Sequence, residues 1–391
     1  MSTPARDRSR DRSGDHSSDL RTDPTPWVFD ADGHVIEPPR VWDELLPAEF
    51  RRYAPRVLQE ADHYRFACGD RVGFRIEGRS EAMAAPGQTP HLSDDPVALR
   101  GGTEAGPRLA DMAIDRIATA ALYPTFGLMI QGVIEREPAL ALCRALNDWV
   151  AEYCAPDPEH LVGITTLPMT SAEDALAEAR RGVEELGFRG VWRRPEHFDP
   201  LPHLYDEAYE PLWSYLEDAN VPFAIHPGMS GLIPYDLLQS HFGDYYTPLH
   251  AAHFVTEQML ALTTFVAYGI LERHPRLRVA FLETGAVWAM SYVHRLDEHF
   301  ELFGFDRGRL SAQPSEYFRR QCFVSVEEVE PGLPTMLREY PDSVVFSSDY
   351  PHADGTFPGS TKDLLESTEL DDDAVRRVLR DNALRLYGLA R

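Results

Sequence analysis

Trp27-Val-Phe-Asp-Ala-Asp32-Gly-His34 is the stretch of this chain on which the fold turns. A short apolar run ends in Asp and then His at i, i+2, and on a regular strand two such side chains face the same way. Oxygen and nitrogen donors together suit Zn²⁺, Fe²⁺ or Mn²⁺. The same event recurs further on. Pro222-Phe-Ala-Ile225 runs into His226, Arg278-Val-Ala-Phe-Leu282 into Glu283, and Ser343-Val-Val-Phe346 is followed closely by Asp349. Parallel strands closed into a barrel present all their C-termini on one face, so these four strand ends would meet over the central mouth.

Between those strand ends the sequence alternates in the βα manner. A helix near 109–118 leads to a strand at 120–123. A helix over 138–153 follows, then a strand at 162–167, a helix at 172–186 stopped by Gly187, and a strand at 190–193. Helices over 209–219, 254–272, 287–300, 333–339 and 374–387 separate the remaining strands, at 222–225, 278–282, 322–326 and 343–346. About eight strands, most followed by a helix, fit either a (β/α)₈ barrel or a doubly wound open sheet. The placement of metal-type residues at the strand ends favours the barrel. Residues of about 40–110 break the rhythm. Within them 57–78 alternate as a small antiparallel β ribbon, and 84–107, rich in Pro, Gly and Asp, read as loop. The expected organisation is a disordered tail over 1–26 and one barrel domain over 27–391.

Composition narrows the function. The chain has 391 residues, 43% of them hydrophobic and 26% charged, enough for a sizeable core. Its 63 acidic residues exceed 38 basic ones, giving a formal charge of −25. That balance argues against nucleic-acid and anionic-membrane partners, which select basic surface. The 4 cysteines, Cys68, Cys143, Cys154 and Cys322, are scattered without a CxxC pair, which excludes a disulfide scaffold and a thiolate zinc site. No apolar run approaches the roughly 20 residues of a membrane span. The Arg/Asp/Ser-rich start has no apolar targeting segment, so a cytoplasmic address is expected. No short repeat suggests a solenoid.

Each candidate ligand also has a plain structural role. Asp32-Gly is a turn signal, His226 before Pro-Gly suits a loop or cap, Glu283 suits a helix N-terminus, and Asp349 after Ser-Ser suits an N-cap. Those roles would have to coincide independently at four strand ends in the right order. A shared metal centre explains the coincidence at once.

In its ordered set of motifs the chain resembles the amidohydrolase superfamily, in the amidohydrolase-related (family 2) branch. The matching text begins with Phe29-Asp-Ala-Asp-Gly-His-Val-Ile-Glu-Pro38, Arg108-Leu-Ala-Asp-Met112, Leu122-Tyr-Pro-Thr125 and Asn147-Asp-Trp149. It continues through Gly187-Phe-Arg-Gly-Val191, Ile225-His-Pro-Gly228, Arg273-His-Pro-Arg-Leu-Arg-Val279, Glu283-Thr-Gly285 and His294-Arg-Leu-Asp-Glu-His-Phe300. Ser348-Asp-Tyr-Pro-His352 and Asn382-Ala-Leu-Arg-Leu-Tyr-Gly388 complete it. The resemblance covers nearly everything from Trp27 onward. It implies a distorted TIM barrel with one or two metal ions, and hydrolysis of amide, ester, thioester or C–C bonds, or non-oxidative decarboxylation. By motif position, Asp32 and His34 stand where the family has a His-x-His or Glu-x-His pair, His226 at the strand-five ligand, and Asp349 at the strand-eight aspartate that touches metal and moves protons.

Three departures matter. Asp32 replaces the usual first His or Glu, Glu283 stands where many members have a strand-six His, and Val191-Trp-Arg-Arg-Pro195 offers no bridging lysine after strand four. Glu283 or Asp349 could still bridge two ions. An oxygen-rich set of Asp32, His34, His226, Glu283 and Asp349 favours iron or manganese beside zinc.

The expected reaction is metal-assisted hydrolysis of a small organic acid derivative, thioesters of secondary metabolism included. Asp349 moves the proton, with Glu283 and His253 as further acid–base candidates and His253 alternatively a ligand to a second metal. Arg194 is expected to fork onto a substrate carboxylate or phosphate, with a plain ion pair equally open to it, and His352 to line the pocket or brace Asp349. Decarboxylation of an aromatic or enoic acid is the alternative chemistry, and an inactive barrel serving as a binding module is the third. The partner is a small molecule, and the ribbon edge leaves room for a homo-oligomer.

Overall fold

The computed structural model describes residues 20–73, 75–77, 100–197, 201–228, 236–243, 246–304, 309–352 and 355–390. Its strands, numbered along the chain, form two sheets. The smaller is antiparallel: β2 (Pro55–Gln59), β3 (His63–Cys68), β4 (Arg71–Val72) and β5 (Ile76–Glu77). It is the expected ribbon. Residues 78–99, most of them in the expected loop, and 1–19 of the expected tail lie outside the described residues. Residues 20–26 were assigned to that tail too, yet Arg21 donates to the carbonyls of Leu365, Ser367 and Leu370 and pairs with Asp372.

The larger sheet is parallel and runs in chain order through β1 (Val28–Val35), β6 (Ile117–Pro124), β7 (Leu161–Thr166), β8 (Gly190–Arg193), β9 (Phe223–Ile225), β10 (Val279–Phe281), β11 (Cys322–Val326) and β12 (Val344–Phe346). Beyond β12 the chain returns to β1. The Asp349 amide donates to the Asp32 carbonyl at 3.1 Å and the His34 amide to the Tyr350 carbonyl at 2.7 Å. The (β/α)₈ barrel favoured by the strand-end residues and implied by the resemblance is therefore the architecture. Helices α1 (Ala105–Ile114), α2 (Arg136–Cys154), α3 (Ala172–Arg180), α4 (Glu210–Ala219), α5 (Tyr246–Ala267), α6 (Val287–Phe303) and α7 (Leu333–Glu339) surround it.

Two apolar layers hold this together. Alternate strand residues fill the barrel: Phe29 and Ala31, Ala121 and Tyr123, Val162 and Ile164, then Trp192, Ala224, Ala280, Phe323 and Val345. Tyr387, after the last helix Asn382–Leu386, plugs the bottom. Its ring stacks on Phe29 at 5.4 Å and its hydroxyl donates to the Ala31 carbonyl. The opposite strand faces bury against the helices in a larger cluster.

Two local differences from the sequence reading have physical causes. The helix expected over 254–272 starts earlier, because Pro248 falls in the first turn of α5, where its missing N–H is no loss. It ends at Ala267, and Gly269 at φ +73° turns the chain into a separate short helix, Ile270–Arg273. The second difference lies in β1. Asp30 pairs with Ala120 but Gly33 pairs with Leu122, so β1 carries one extra residue. This bulge brings His34 opposite Tyr123, on the barrel-interior side. In uninterrupted pairing His34 would face the helices.

Candidate metal centre

The bulge delivers Asp32 and His34 to the mouth, and their surroundings fix their orientation. Nδ1 of His34 lies 2.8 Å from the Pro124 carbonyl, so Nδ1 carries the proton and Nε2 presents a lone pair. His226, directly after β9, is held alike. Its Nδ1 meets the Pro227 carbonyl at 2.5 Å and Oε2 of Glu283 at 3.2 Å. The two Nε2 atoms therefore face each other at 3.2 Å as two acceptors. Oδ1 of Asp32 lies 3.6 Å from one and 3.4 Å from the other.

A third acceptor thus joins two lone pairs in a site closed to solvent. Among the described residues neither oxygen of Asp32 receives a hydrogen bond. Such an arrangement is unfavourable unless a cation lies among the atoms. Burial, with His352 and His226 nearby, holds the His34 imidazole well below its usual range, in the neutral form that ligates metal. Asp32, His34 and His226 thus fit a small divalent ion, and Asp349 borders them through His34, with Oδ1 3.4 Å from its Nε2, in an adjoining group with His34 and His352.

The two carboxylates flanking the centre share an unusual backbone. Glu283 at φ +59° and Asp349 at φ +50° are two of the four non-glycine residues with positive φ among the described residues. The left-handed region is unfavourable for such side chains and tends to be kept where the site requires it. Contacts hold each in place. The Glu283 amide donates to Oγ of Ser325, and Glu330 accepts from the amides of Ala286 and Val287 just beyond. Glu283 does not join the three ligand atoms. It meets His226 at the ring nitrogen turned away from them, the carboxylate–histidine arrangement that orients a ligand and raises its basicity.

His352 contacts the same oxygen of Asp349, with Nδ1 2.7 Å from Oδ1, and its ring lies 4.0 Å from that of His34. Its Nε2 is 2.9 Å from Oγ1 of Thr125, and that hydroxyl donates its only proton to the Val35 carbonyl. Oγ1 must therefore accept from Nε2, which fixes a proton on Nε2 and leaves Nδ1 as the nitrogen turned to Asp349. Thr125 was quoted in the sequence only as part of a motif. Its hydroxyl beside a strand end was the available signal.

The remaining candidates lie apart. Arg194 is buried, and its guanidinium fork is taken by Glu196, with Nε donating at 3.0 Å and Nη2 to the other oxygen. Nη2 also donates to the Gly228 carbonyl. His253 joins Glu196 and Glu257 in a second group that shares no residue with the first.

Behind β1 lies a further element that sequence reasoning left without a role. Asp30 accepts from the Asp32 amide at 3.2 Å, the Ser348 amide at 3.0 Å and the Ser348 hydroxyl at 2.5 Å. Buried Arg108 donates to the carbonyls of His34 at 2.8 Å and Tyr350 at 3.3 Å, and its Nη2 lies 3.7 Å from Asp30. A Cβ on Gly33 would sit 2.4 Å from this guanidinium, so the bulge and the arginine require glycine there.

A family model described as Amidohydrolase matches residues 29–389. The gamma-resorcylate decarboxylase of Rhodococcus jostii (strain RHA1) is 26% identical over 280 residues, which span 67% of this chain and 81% of that protein. An amidohydrolase structure from Mycobacterium avium subsp. paratuberculosis K-10 superposes with a TM-score of 0.75 at 24% identity, over 92% of this chain and 97% of that one. A 5-carboxyvanillate decarboxylase from Novosphingobium aromaticivorans with bound manganese superposes at 0.66 and 18% identity, over 94% and 98%. At those identities the two structures speak for the fold. The expected hydrolysis of an amide, ester or thioester is corrected here: the relatives that carry a specific activity in their names are decarboxylases, which matches the alternative chemistry.

Proposed function

Because the chain belongs to this amidohydrolase family, we propose that it is a metal-dependent, non-oxidative decarboxylase of a hydroxylated aromatic acid. The observation that carries the proposal is the 2.7 Å approach of His352, anchored on Thr125, to Asp349 at the edge of the metal-type cluster. The named relative supplies the substrate class. Asp32, His34 and His226, with Asp349 at the edge, would hold a divalent cation, whose charge would favour binding of the carboxylate and neighbouring oxygen of an aryl acid.

The chemistry then asks for one proton. The bond from ring carbon to carboxyl carbon breaks, CO₂ leaves, and the electron pair stays on the ring carbon and takes up a proton. Asp349 donates that proton from Oδ1 as general acid, and His352, held by Thr125, restores it through Nδ1. The partly accessible edge of His352 connects the pair to solvent. The Pro227 carbonyl keeps Nδ1 of His226 protonated, with the Glu283 carboxylate beside it, so that Nε2 would face the ion.

The test is CO₂ release, with the matching phenol followed by chromatography, from 2,6-dihydroxybenzoate (γ-resorcylate) and other hydroxybenzoates on Mn²⁺-loaded protein. Activity is expected with at least one ortho-hydroxy acid. Thr125→Val removes the acceptor of His352, and one lost hydrogen bond of about 1–1.5 kcal/mol lowers kcat roughly tenfold with KM little changed. Metal-replete protein that releases no CO₂ across the panel would defeat the proposal. A Thr125→Val variant with wild-type kcat would remove His352 from the proton path.

A further inference from the structure

Arg194, Glu196, His253 and Glu257 form a second polar cluster, buried at the mouth beyond β8. Glu196 follows β8 by three residues, and His253 and Glu257 stand one turn apart on α5. That helix is fixed to the barrel by Gln258, whose amide donates to the carbonyls of Ile225 at 3.0 Å and Leu282 at 2.8 Å. The side chains therefore project from rigid supports.

The charges in the cluster do not balance. Arg194 is matched by Glu196, which takes its fork through both oxygens. Glu257 is a second carboxylate, only 1% exposed, and neither of its oxygens receives a hydrogen bond among the described residues. Nε2 of His253 lies 2.7 Å from its Oε1, yet the pair is not aligned as a hydrogen bond. One ligand atom from each of Glu196, His253 and Glu257 falls within 4.8 Å of the other two. An uncompensated buried carboxylate needs a proton or a cation. A proton would serve Glu257 and its neighbour Glu196 between them, whereas a cation also uses the imidazole of His253. Burial holds His253 at about 4, so its imidazole is neutral and can ligate.

We propose that Glu196, His253 and Glu257 form a second divalent-cation site, of the mixed nitrogen and oxygen kind that takes Zn²⁺ or Mn²⁺, fastening α5 to the loop after β8. It shares no ligand with the first centre, and its occupancy is independent of the reaction proposed above.

The test counts ions. The full chain is loaded with Mn²⁺ or Zn²⁺, desalted and analysed for metal. Two ions per chain are expected in the wild type, and one each in Glu257→Gln, His253→Ala and Asp32→Asn. The thermal stabilisation gained on adding Mn²⁺ should shrink in Glu257→Gln. One ion in the wild type, or two persisting in Glu257→Gln, overturns the site. If Glu257 holds a proton instead, its amide is a near-isosteric replacement, and Glu257→Gln keeps both the wild-type metal count and melting temperature. Loss of one ion in Asp32→Asn but none in Glu257→Gln would refute this site and leave the first centre standing. The reverse result would refute the first centre alone. Should Glu257→Gln fail to fold, His253→Ala reads the same count.

Discussion

Arg108→Met is the sharpest probe of how the barrel seam supports the centre. Methionine retains much of the apolar stem and removes the guanidinium. The His34 and Tyr350 carbonyls lose that donor, and Asp30 loses its nearest cation at 3.7 Å, all in a region closed to water. Removing one partner of a buried pair costs about 3–5 kcal/mol. At about 2.1 cal/mol/K per residue, a chain of 391 residues loses roughly 1.2 °C of melting temperature per kcal/mol, hence about 4–6 °C here. Asp30→Asn should cost a similar amount, by leaving Arg108 uncompensated. The double variant should recover about 1–3 kcal/mol of the summed loss, as expected for groups in one network. Because Arg108 holds the backbone of His34 itself, Mn²⁺ affinity should also fall, by about 10–100-fold, as when partners behind metal ligands are removed. Calorimetry and metal titration on the four proteins of this cycle supply both quantities. An Arg108→Met loss below about 0.5 kcal/mol would refute the energetic reasoning. A full stability loss with unchanged Mn²⁺ affinity would confine Arg108 to closing the barrel.

Two further outcomes follow from the same structure. Burial pushes the Glu37 carboxyl up to about 7 from 4.5, although it accepts from the amides of Phe126 and Gly127. A raised carboxyl binds its proton more tightly folded than unfolded, so the penalty is full above about 7 and fades as pH falls toward 4.5. At 1.36 kcal/mol per pH unit, the stability of the wild type relative to Glu37→Gln should fall by about 3 kcal/mol from pH 4.5 to 7. A difference that stays constant in denaturant titrations across that window would exclude Glu37 as the titrating group. Glu283→Gln keeps the shape beside His226 and removes the charge, so Mn²⁺ affinity should drop about 10–100-fold with little change in melting temperature. Unaltered affinity would show that the Pro227 carbonyl alone orients the ring.

The barrel was legible because it rests on periodic signals. Strand ends are visible as apolar runs that stop, and a barrel gathers whatever stands at those stops. Asp32, His34, His226 and Asp349 were singled out that way, and the fold brings the first three within reach of one another, with Asp349 next to His34. Side-chain direction was not legible where the backbone leaves the regular pattern. His34 reaches the interior through a bulge whose only trace in the sequence is Gly33. Glu283 turns toward the back of His226 because its φ is +59°, which no composition rule anticipates for glutamate. Arg194 carried two open roles, and Glu196, two residues on, takes the fork. The pair His253 and Glu257 was readable as one turn of a helix, but its convergence with Glu196 needed the placement of α5 against β8.

The β1–β12 seam and the proton path meet in a single piece of backbone. Asp349 carries an acid side chain at φ +50°, and its own amide closes the barrel by bonding to the carbonyl of Asp32. Immediately before it, Ser348 is bound through both amide and hydroxyl to Asp30 on the opposite strand. The Tyr350 carbonyl, immediately after, accepts from both the His34 amide and Arg108. The strained residue is thus fixed from both neighbours by contacts that cross to the strand bearing Asp32 and His34. A strain of about 1–3 kcal/mol can persist where surrounding contacts over-determine the conformation, and here those contacts also set the spacing between ligands. A shift of β12 relative to β1 would move Asp349 away from His34 and His352 together. On the proposed function, metal binding and proton delivery would be coupled through the closure of the barrel itself, and a substitution at Asp30, Arg108 or Ser348 should impair both even though none of the three is placed among the ligands.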